Sequence, residues 1–275
     1  MLDITENSIR KQLKTKVFGQ KILYKEEIDS TNTEAKRQAF EDNHGLLVIA
    51  EEQSLGKGRR GRSWNSPKGT GIWMSLLLQP KESNVLAAEK ASMLTLVTAL
   101  SVAEAICEVT GLETWIKWPN DIVINGRKVC GILTEMSADN GGIRYIIIGI
   151  GINVNTKEFP EDIQGIATSL LLERKSAETD LIDRAVLAAS VLKKLEEYYE
   201  QFLKEGDLSF LSEAYNKKLI NLNRQVKVLG SAGQEECAGT AKGINREGEL
   251  LVEAEEGLIS VRSGEVSVRG IYGYV

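Results

Sequence analysis

Two apolar runs, GLLVIAEEQ at 45–53 and TGIWMSLLLQ at 70–79, are separated by SLGKGRRGRSWNSPKG, a segment too rich in glycine and charge to continue either of them. The runs have the composition of buried strands, so the segment between them must be a loop that carries its own chemistry. Glycines at 56, 58 and 61 satisfy the spacing of a dinucleotide-binding turn. That turn, however, opens an apolar helix packed on its sheet, whereas RSWNSPKGTG, with its proline and two further glycines, follows here. No Walker A spacing occurs in the chain. What remains is a loop with Lys57, Arg59, Arg60 and Arg62, whose glycines permit left-handed backbone and whose cations can approach an anionic group from several directions. A solvated basic turn is the plainer alternative.

The rest of the chain reads as mixed α and β. KILYKEEI has the look of an edge strand, and DSTNTEAKRQAF follows with Asp29, Ser30 or Thr31 able to begin a helix and Glu34 in its first turn. Residues 85 to 109 form a long alanine-rich helical pattern, too apolar in its middle for a surface helix and expected against a sheet. The asparagine–glycine pair at 125–126 predicts a hairpin between IVI and KVCGILTEM, DNGG a further turn, and RYIIIGIGINV a central strand. Two more helical patterns, LIDRAVLAASVLKKLEEYYEQFL and LSFLSEAYNKKL, precede a change of texture near Asn223. From there short strands alternate with glycine turns, the pattern of a small all-β module. The expected organisation is a polar extension or short linker helix over 1–20, a main domain over 21–222, and the small module over 223–275.

Composition removes several classes of function. With 42% apolar and 27% charged residues the chain is a globular protein, not a disordered one. A net charge of -5 argues against a surface given over to a polyanion while leaving room for a local basic patch. Cys107, Cys130 and Cys237 have neither metal-ligand nor disulfide-framework spacing, which fits reduced residues and a cytoplasmic location. No membrane association is expected: YIIIGIGI is too short to span a bilayer, and MLDITENSIRKQ lacks a signal-peptide core.

No protein nucleophile stands out either. His44 is the only histidine and lies outside the motif-rich segments, so a Ser–His or Cys–His relay is not expected, and Cys130 between valine and glycine has a packing context. KWPND at 117–121 places a cation, an indole, a rigid turn and two polar side chains before a strand. Asn120 and Asp121 can be turn caps or ligand contacts. Lys128, after the hairpin turn, can carry its ammonium into a site, and Gly131 can admit a ligand close to the backbone. Trp64 and Trp73 flank the basic loop, each able to pack in a core or beside a planar ligand. These residues suit charge stabilisation and positioning better than covalent protein catalysis.

Taken in order, DSTN at 29–32, EEQSLGKGRRGRSWNSPKGTGIWMSL at 51–76, KWPNDI at 117–122, GRKVCGILTE at 126–135 and IIGIGINVN at 147–155 resemble the motifs of biotin protein ligases. GELLVEAEEG and SGEVSVRG resemble that family's C-terminal domain. The resemblance covers nearly the whole chain from about Lys21. It implies an α+β fold, a mixed-sheet catalytic domain with a small SH3-like C-terminal β-barrel. It also implies a two-step reaction: biotin and ATP form biotinyl-5'-AMP with release of pyrophosphate, and a lysine of a biotin carboxyl carrier domain then takes the biotinyl group. Mg2+ would screen the triphosphate, with ligands the sequence leaves unknown.

By the same resemblance Ser30, Thr31, Asn32, Gln53, Gly56, Gly58, Gly61, Trp64 and Gly131 surround biotin, together with Arg59 and Lys128. Lys57, Arg59, Arg60, Trp64, Asn120, Asp121, Asn153 and Arg269 face ATP or the adenylate. Lys128, Arg59 and Arg60 carry the catalysis. Where the family reads glycine, arginine, glycine, this chain has Lys57 between Gly56 and Gly58, which keeps the charge and loses the planar donor fork. Because the first motif begins at Asp29, no N-terminal winged-helix repressor domain and no specific DNA binding are expected. The resemblance suggests a homodimer through the exposed sheet, and the oligomeric state stays open. Rival readings are a lipoate or octanoate ligase or transferase of the same superfamily, and a nucleic-acid-binding protein using the basic loop.

Overall fold

The computed structural model describes residues 4–80, 90–139, 142–174, 180–230, 233–264, 266–270 and 274–275. Its main sheet is formed by β1 (Ile22–Ile28), β2 (Leu46–Gln53), β3 (Gly71–Leu78), β4 (Trp115–Lys117), β5 (Asp121–Ile124), β6 (Arg127–Asp139) and β7 (Gly142–Asn153), in the spatial order β1-β2-β3-β7-β6-β5-β4. KILYKEEI is an edge strand and the isoleucine-rich segment is the central one, as their compositions predict. β1 and β2 run parallel, joined by helix α2 (Thr31–Gln38), and the remaining pairs are antiparallel, so the sheet is mixed. At the β5–β6 hairpin Asn125 and Gly126 both have positive φ, which is what a two-residue turn with the twist of its flanking strands requires.

Period-2 alternation divides β3 and β7 between two faces. Ile72, Met74, Leu76 and Leu78 with Ile146, Ile148, Ile150 and Ile152 join the main core, which also includes residues of α3 (Met93–Thr110) and α5 (Arg184–Glu205). Residues 85–89 of the expected helix lie outside the described residues. By length and composition α3 could cross a membrane, but two thirds of it is buried inside this protein. The other face carries Leu77, Ile147 and Tyr145 against Ala35 of α2 and Ala39, its C-cap. Further along that second face the side chains shrink to Ser75 on β3, Gly149 and Gly151 on β7, and Gly131 on β6. Ser75 pairs with Gly149, and Gly131 with Gly151. This leaves a trough in the sheet beside the N-terminus of α2.

The N-terminal segment carries α1 (Glu6–Arg10), and Ile4, Ile9 and Phe18 are buried in the main core. Glu196 of α5 anchors it by accepting the backbone N–H groups of Lys16, Val17 and Phe18 at 2.7–2.8 Å. After α6 (Ser209–Lys218), β8 (Gln225–Leu229), β9 (Glu235–Ile244), β10 (Leu250–Ala254), β11 (Gly257–Val261) and β12 (Ser267–Gly270) form a second, antiparallel sheet.

The expected SH3-like barrel is not found. This sheet has the open order β11-β10-β9-β8-β12, and its two end strands are not paired among the described residues. Curling into a barrel is one way to bury the apolar face of a small sheet. Here Val226, Val228, Ala241, Leu250, Val252 and Val268 belong instead to the same contiguous cluster as the main core. The main core therefore covers what closure would have covered.

Candidate active site

The trough is lined by a connected polar wall. The backbone N–H of Thr31 donates to Gln53 Oε1 at 2.8 Å, which fixes the orientation of that amide, and Gln53 Nε2 donates to Ser66 Oγ at 2.7 Å. Asn32 Nδ2 donates to Glu135 Oε2 at 2.6 Å, so Asn32 Oδ1 faces Ser75 Oγ at 2.6 Å. Ser75 Oγ also lies 2.7 Å from Thr31 Oγ1, which itself lies 3.1 Å from Gln53 Oε1. Two hydroxyl hydrogens thus serve three oxygen–oxygen contacts. Such a wall has acceptor capacity to spare and suits a ligand bearing N–H donors. Ser30 is buried beside it, at the N-terminus of α2.

The basic loop folds back as a short hairpin, with bridges Gln53 to Ser66 and Lys57 to Ser63 and a 2.8 Å bond from Trp64 N to Gly56 O. Gly56 is required by packing: a Cβ there would lie 2.2 Å from the Trp64 carbonyl. Gly58 N donates to Arg62 O at 2.7 Å, and the reversal between them uses positive φ at Arg60 and Gly61. The hairpin brings the Trp64 indole over the trough, where a Cβ on Gly131 or Gly151 would meet the ring at 2.9 and 2.5 Å. Trp64 Nε1 is buried with no hydrogen-bond partner among the described residues. With the indole there the trough encloses only about 40 Å³.

Beyond Trp64 opens a cleft of about 710 Å³ between the basic loop, the 117–121 turn, the 159–167 segment and the second sheet. Its polar lining includes Asn120, Asp121, Asn153, Arg269 and, unforeseen as a contact from the sequence, Lys117. Asn153 Nδ2 donates to Thr168 O at 3.0 Å. Lys128 and Arg59 line both the trough and the cleft. Lys128 Nζ lies 2.7 Å from Asp121 Oδ1 and 5.0 Å from the Trp64 ring centroid. Burial disfavours the charge on Asp121, yet Lys128, Lys117 and the Tyr274 hydroxyl outweigh it and hold the carboxyl below its usual range. Burial draws the Lys117 ammonium down to about 8, against the pull of Asp121. It also lowers Arg59, without bringing a guanidinium near neutrality.

Arg59 donates to Asn120 Oδ1 at 2.7 Å and Gly264 O at 2.8 Å, and Arg60 donates to Gly230 O at 2.7 Å. Both cations are therefore held by neutral acceptors, two of which come from the segments that connect strands of the second sheet. Lys57 lines the trough, whereas no atom lies within 4 Å of where a Gly61 Cβ would stand. Of the other tryptophans considered, Trp73 is core and Trp118 is buried with its Nε1 donating to Gly248 O at 3.0 Å. His44 accepts from Gln79 N, and Cys130 is buried with its thiol pushed up by desolvation.

Residues missed from the sequence are Ser75, Gly149, Gly151, Glu135, Lys117 and Tyr274. The glycines had a signal, two small residues at period 2 in an isoleucine strand, and Ser75 is the lone hydroxyl of IWMSLLL. Tyr274 had none.

Residues 24–153 match the model of the biotin/lipoate A/B protein ligase family, and residues 222–269 that of the biotin protein ligase C-terminal domain. The bifunctional ligase/repressor BirA of Bacillus subtilis is 39% identical over 270 residues, covering 96% of this chain and 79% of that protein. The protein of the same name from Escherichia coli K12 is 34% identical over 94% of this chain and 77% of its own length. Among solved structures, the biotin protein ligase of Aquifex aeolicus in complex with biotin and ATP superposes with a TM-score of 0.78 at 34% identity, covering 91% of this chain and 99% of that one.

Proposed function

Since the chain belongs to the biotin/lipoate A/B protein ligase family, we propose that it is a biotin–protein ligase, activating biotin with ATP as biotinyl-5'-AMP and passing the biotinyl group to a lysine of a carrier domain. The observation that carries this reading is the junction at Lys128: a narrow trough rich in acceptors meets a wide cleft rich in cations, with one ammonium between them.

The trough takes the ring end of biotin, whose ureido N–H groups supply the donors that the Thr31, Ser75 and Asn32 wall lacks. The cleft takes ATP. The biotin carboxylate oxygen attacks the α-phosphorus beside Lys128, and pyrophosphate leaves with the bond electrons. Lys128, Arg59 and Arg60 stabilise the negative charge that develops on the oxygens of the α-phosphoryl group. For the arginines this means exchanging backbone carbonyls for phosphate oxygens, a gain in charge complementarity at each. A carrier lysine amine then attacks the acyl carbon and AMP departs.

Among the described residues no cluster of histidine, cysteine and carboxylate side chains could cage a metal, and Asp121 is the one carboxylate lining the cleft. Magnesium, when bound with the triphosphate in this cleft, would screen its charge, with Asp121 the nearest carboxylate of the lining.

About 40 Å³ is too little for a bicyclic ligand while the indole covers Gly131 and Gly151, so biotin entry must displace Trp64. The test is biotin-dependent exchange of labelled pyrophosphate into ATP, run beside lipoate and octanoate, with tryptophan emission followed on biotin addition. Exchange confined to biotin and a change in emission are expected. Preferential exchange with lipoate or octanoate would move the chain to the other branch of the family.

A further inference from the structure

Asp121 is surrounded by more positive charge than it can neutralise: Lys117, Lys128, Arg62 and Arg269 all lie close enough to influence one another or its neighbours. A carboxylate in that position chooses its partner, and the choice decides which cations stay available to phosphate. Its two oxygens are used differently. Oδ1 takes Lys128 Nζ at 2.7 Å and Asn120 Nδ2 at 2.9 Å. Oδ2 takes the hydroxyl of Tyr274 at 2.5 Å, from a residue beyond β12 and 153 positions away in the chain. The Tyr274 ring in turn lies under Lys117, whose Nζ is 3.8 Å from the ring centroid.

A neutral donor on Oδ2 has two consequences. It prevents a second cation, or a two-oxygen grip on Lys128, from drawing the catalytic ammonium away from the junction. It also leaves Lys117 resting on an aromatic face, where the attraction is weaker and the ammonium remains free to meet an anion.

We propose that Tyr274 is a positioning residue for the adenylation step: by capping Asp121 Oδ2 it fixes the carboxylate that places Lys128 between trough and cleft, so that the C-terminal segment completes the catalytic geometry. This rests on the ligase reading above. It goes beyond it in giving a residue of the C-terminal segment a role that acts through Asp121 on the reacting groups.

The test compares Tyr274→Phe, which keeps the ring and loses the hydroxyl, with Tyr274→Leu, which loses both, in the full chain. Readouts are pyrophosphate exchange, biotin binding by calorimetry and thermal melting. Tyr274→Phe should lower kcat for exchange roughly tenfold, the scale of a lost hydrogen bond to a charged group. Biotin affinity and the melting temperature should stay close to the parent's. In an Asp121→Asn background the same substitution should add little, because the group it acts through is gone.

Unchanged kcat in Tyr274→Phe with a defect confined to Tyr274→Leu would reduce the residue to packing and overturn the proposal. Full additivity with Asp121→Asn would overturn it as well. Failure of the parent protein to exchange at all is a separate outcome, since it removes the ligase reading on which the proposal stands.

Discussion

The trough and the cleft meet at one lysine and are built in opposite ways. The trough is made from adjacent strands of one sheet plus one helix end, Thr31, Asn32, Ser66 and Ser75 of its wall are buried with Gln53 and Glu135 partly so, and their hydrogen bonds run among themselves from Glu135 to Ser66. The cleft is assembled from the basic loop, the 117–121 turn, the 159–167 segment and the second sheet, and its arginines rest on backbone carbonyls that a phosphate can replace. A polar wall with acceptor capacity left over gives discrimination between ligands that differ by a donor or two. A cation-rich cleft with exchangeable partners gives charge stabilisation that strengthens when the anion arrives. On the proposed reading, selectivity for the acyl substrate belongs to the first region and rate to the second.

The largest effect should come at the junction. Lys128→Ala should lower the rate of adenylate formation by roughly a hundredfold or more, the scale for deleting one charge-stabilising donor, while calorimetric biotin affinity changes much less. If biotin affinity fell as steeply as the rate, the division between the two regions would be wrong. Gly149→Ala attacks the trough alone. Its Cβ would lie 2.1 Å from Asn32 Oδ1, a side chain already held by Glu135 and Ser75. Biotin affinity should drop on the order of a hundredfold, combining overpacking with a displaced acceptor, and ATP binding should be nearly unaffected.

A smaller, pH-dependent effect belongs to the cleft. Lys117 is drawn down to about 8 by burial, so its ammonium is present below that pH and lost as pH rises through it. Bound triphosphate favours the charged form and moves the midpoint upward in the complex. KM for ATP should therefore rise severalfold between roughly pH 7 and 9, and the rise should flatten in Lys117→Arg; a KM that ignores pH in the parent would exclude Lys117 from triphosphate binding. The same lowered value means the folded chain releases this proton before the unfolded chain does, so this group makes the fold relatively more stable as pH climbs from about 8 toward the ordinary lysine range. The smallest effect is expected at Lys57→Arg, within about twofold in both half-reactions if Lys57 supplies general charge and not a planar fork. A larger change in adenylate retention would give the lysine at this position a geometric role.

Much of the trough was legible in advance because its parts are local patterns. DSTN starts a helix, Gln53 ends a strand, and the 125–126 pair turns a hairpin. Glu135 and Ser75 escaped notice because a lone polar residue in an apolar strand does not reveal what faces it across the sheet. In the cleft, Arg59 and Arg60 were visible as charge, but their partners Gly264 and Gly230 are separated from them by 205 and 170 positions. The open second sheet was missed for a related reason. Short alternating strands look the same whether they close upon themselves or lean on a neighbouring core.

By itself, then, the sequence determined the alternation of strands and helices, the hairpin turn at 125–126, and the family to which these motifs belong. All of these rest on interactions between near neighbours, where residue type and spacing carry the physics. Only the tertiary structure decided that Trp64 covers the glycine trough, that the second sheet shares the main core, and that Tyr274 reaches Asp121. Those arrangements depend on which buried surfaces and unpaired polar groups meet after the chain has folded, and short-range spacing does not encode that meeting.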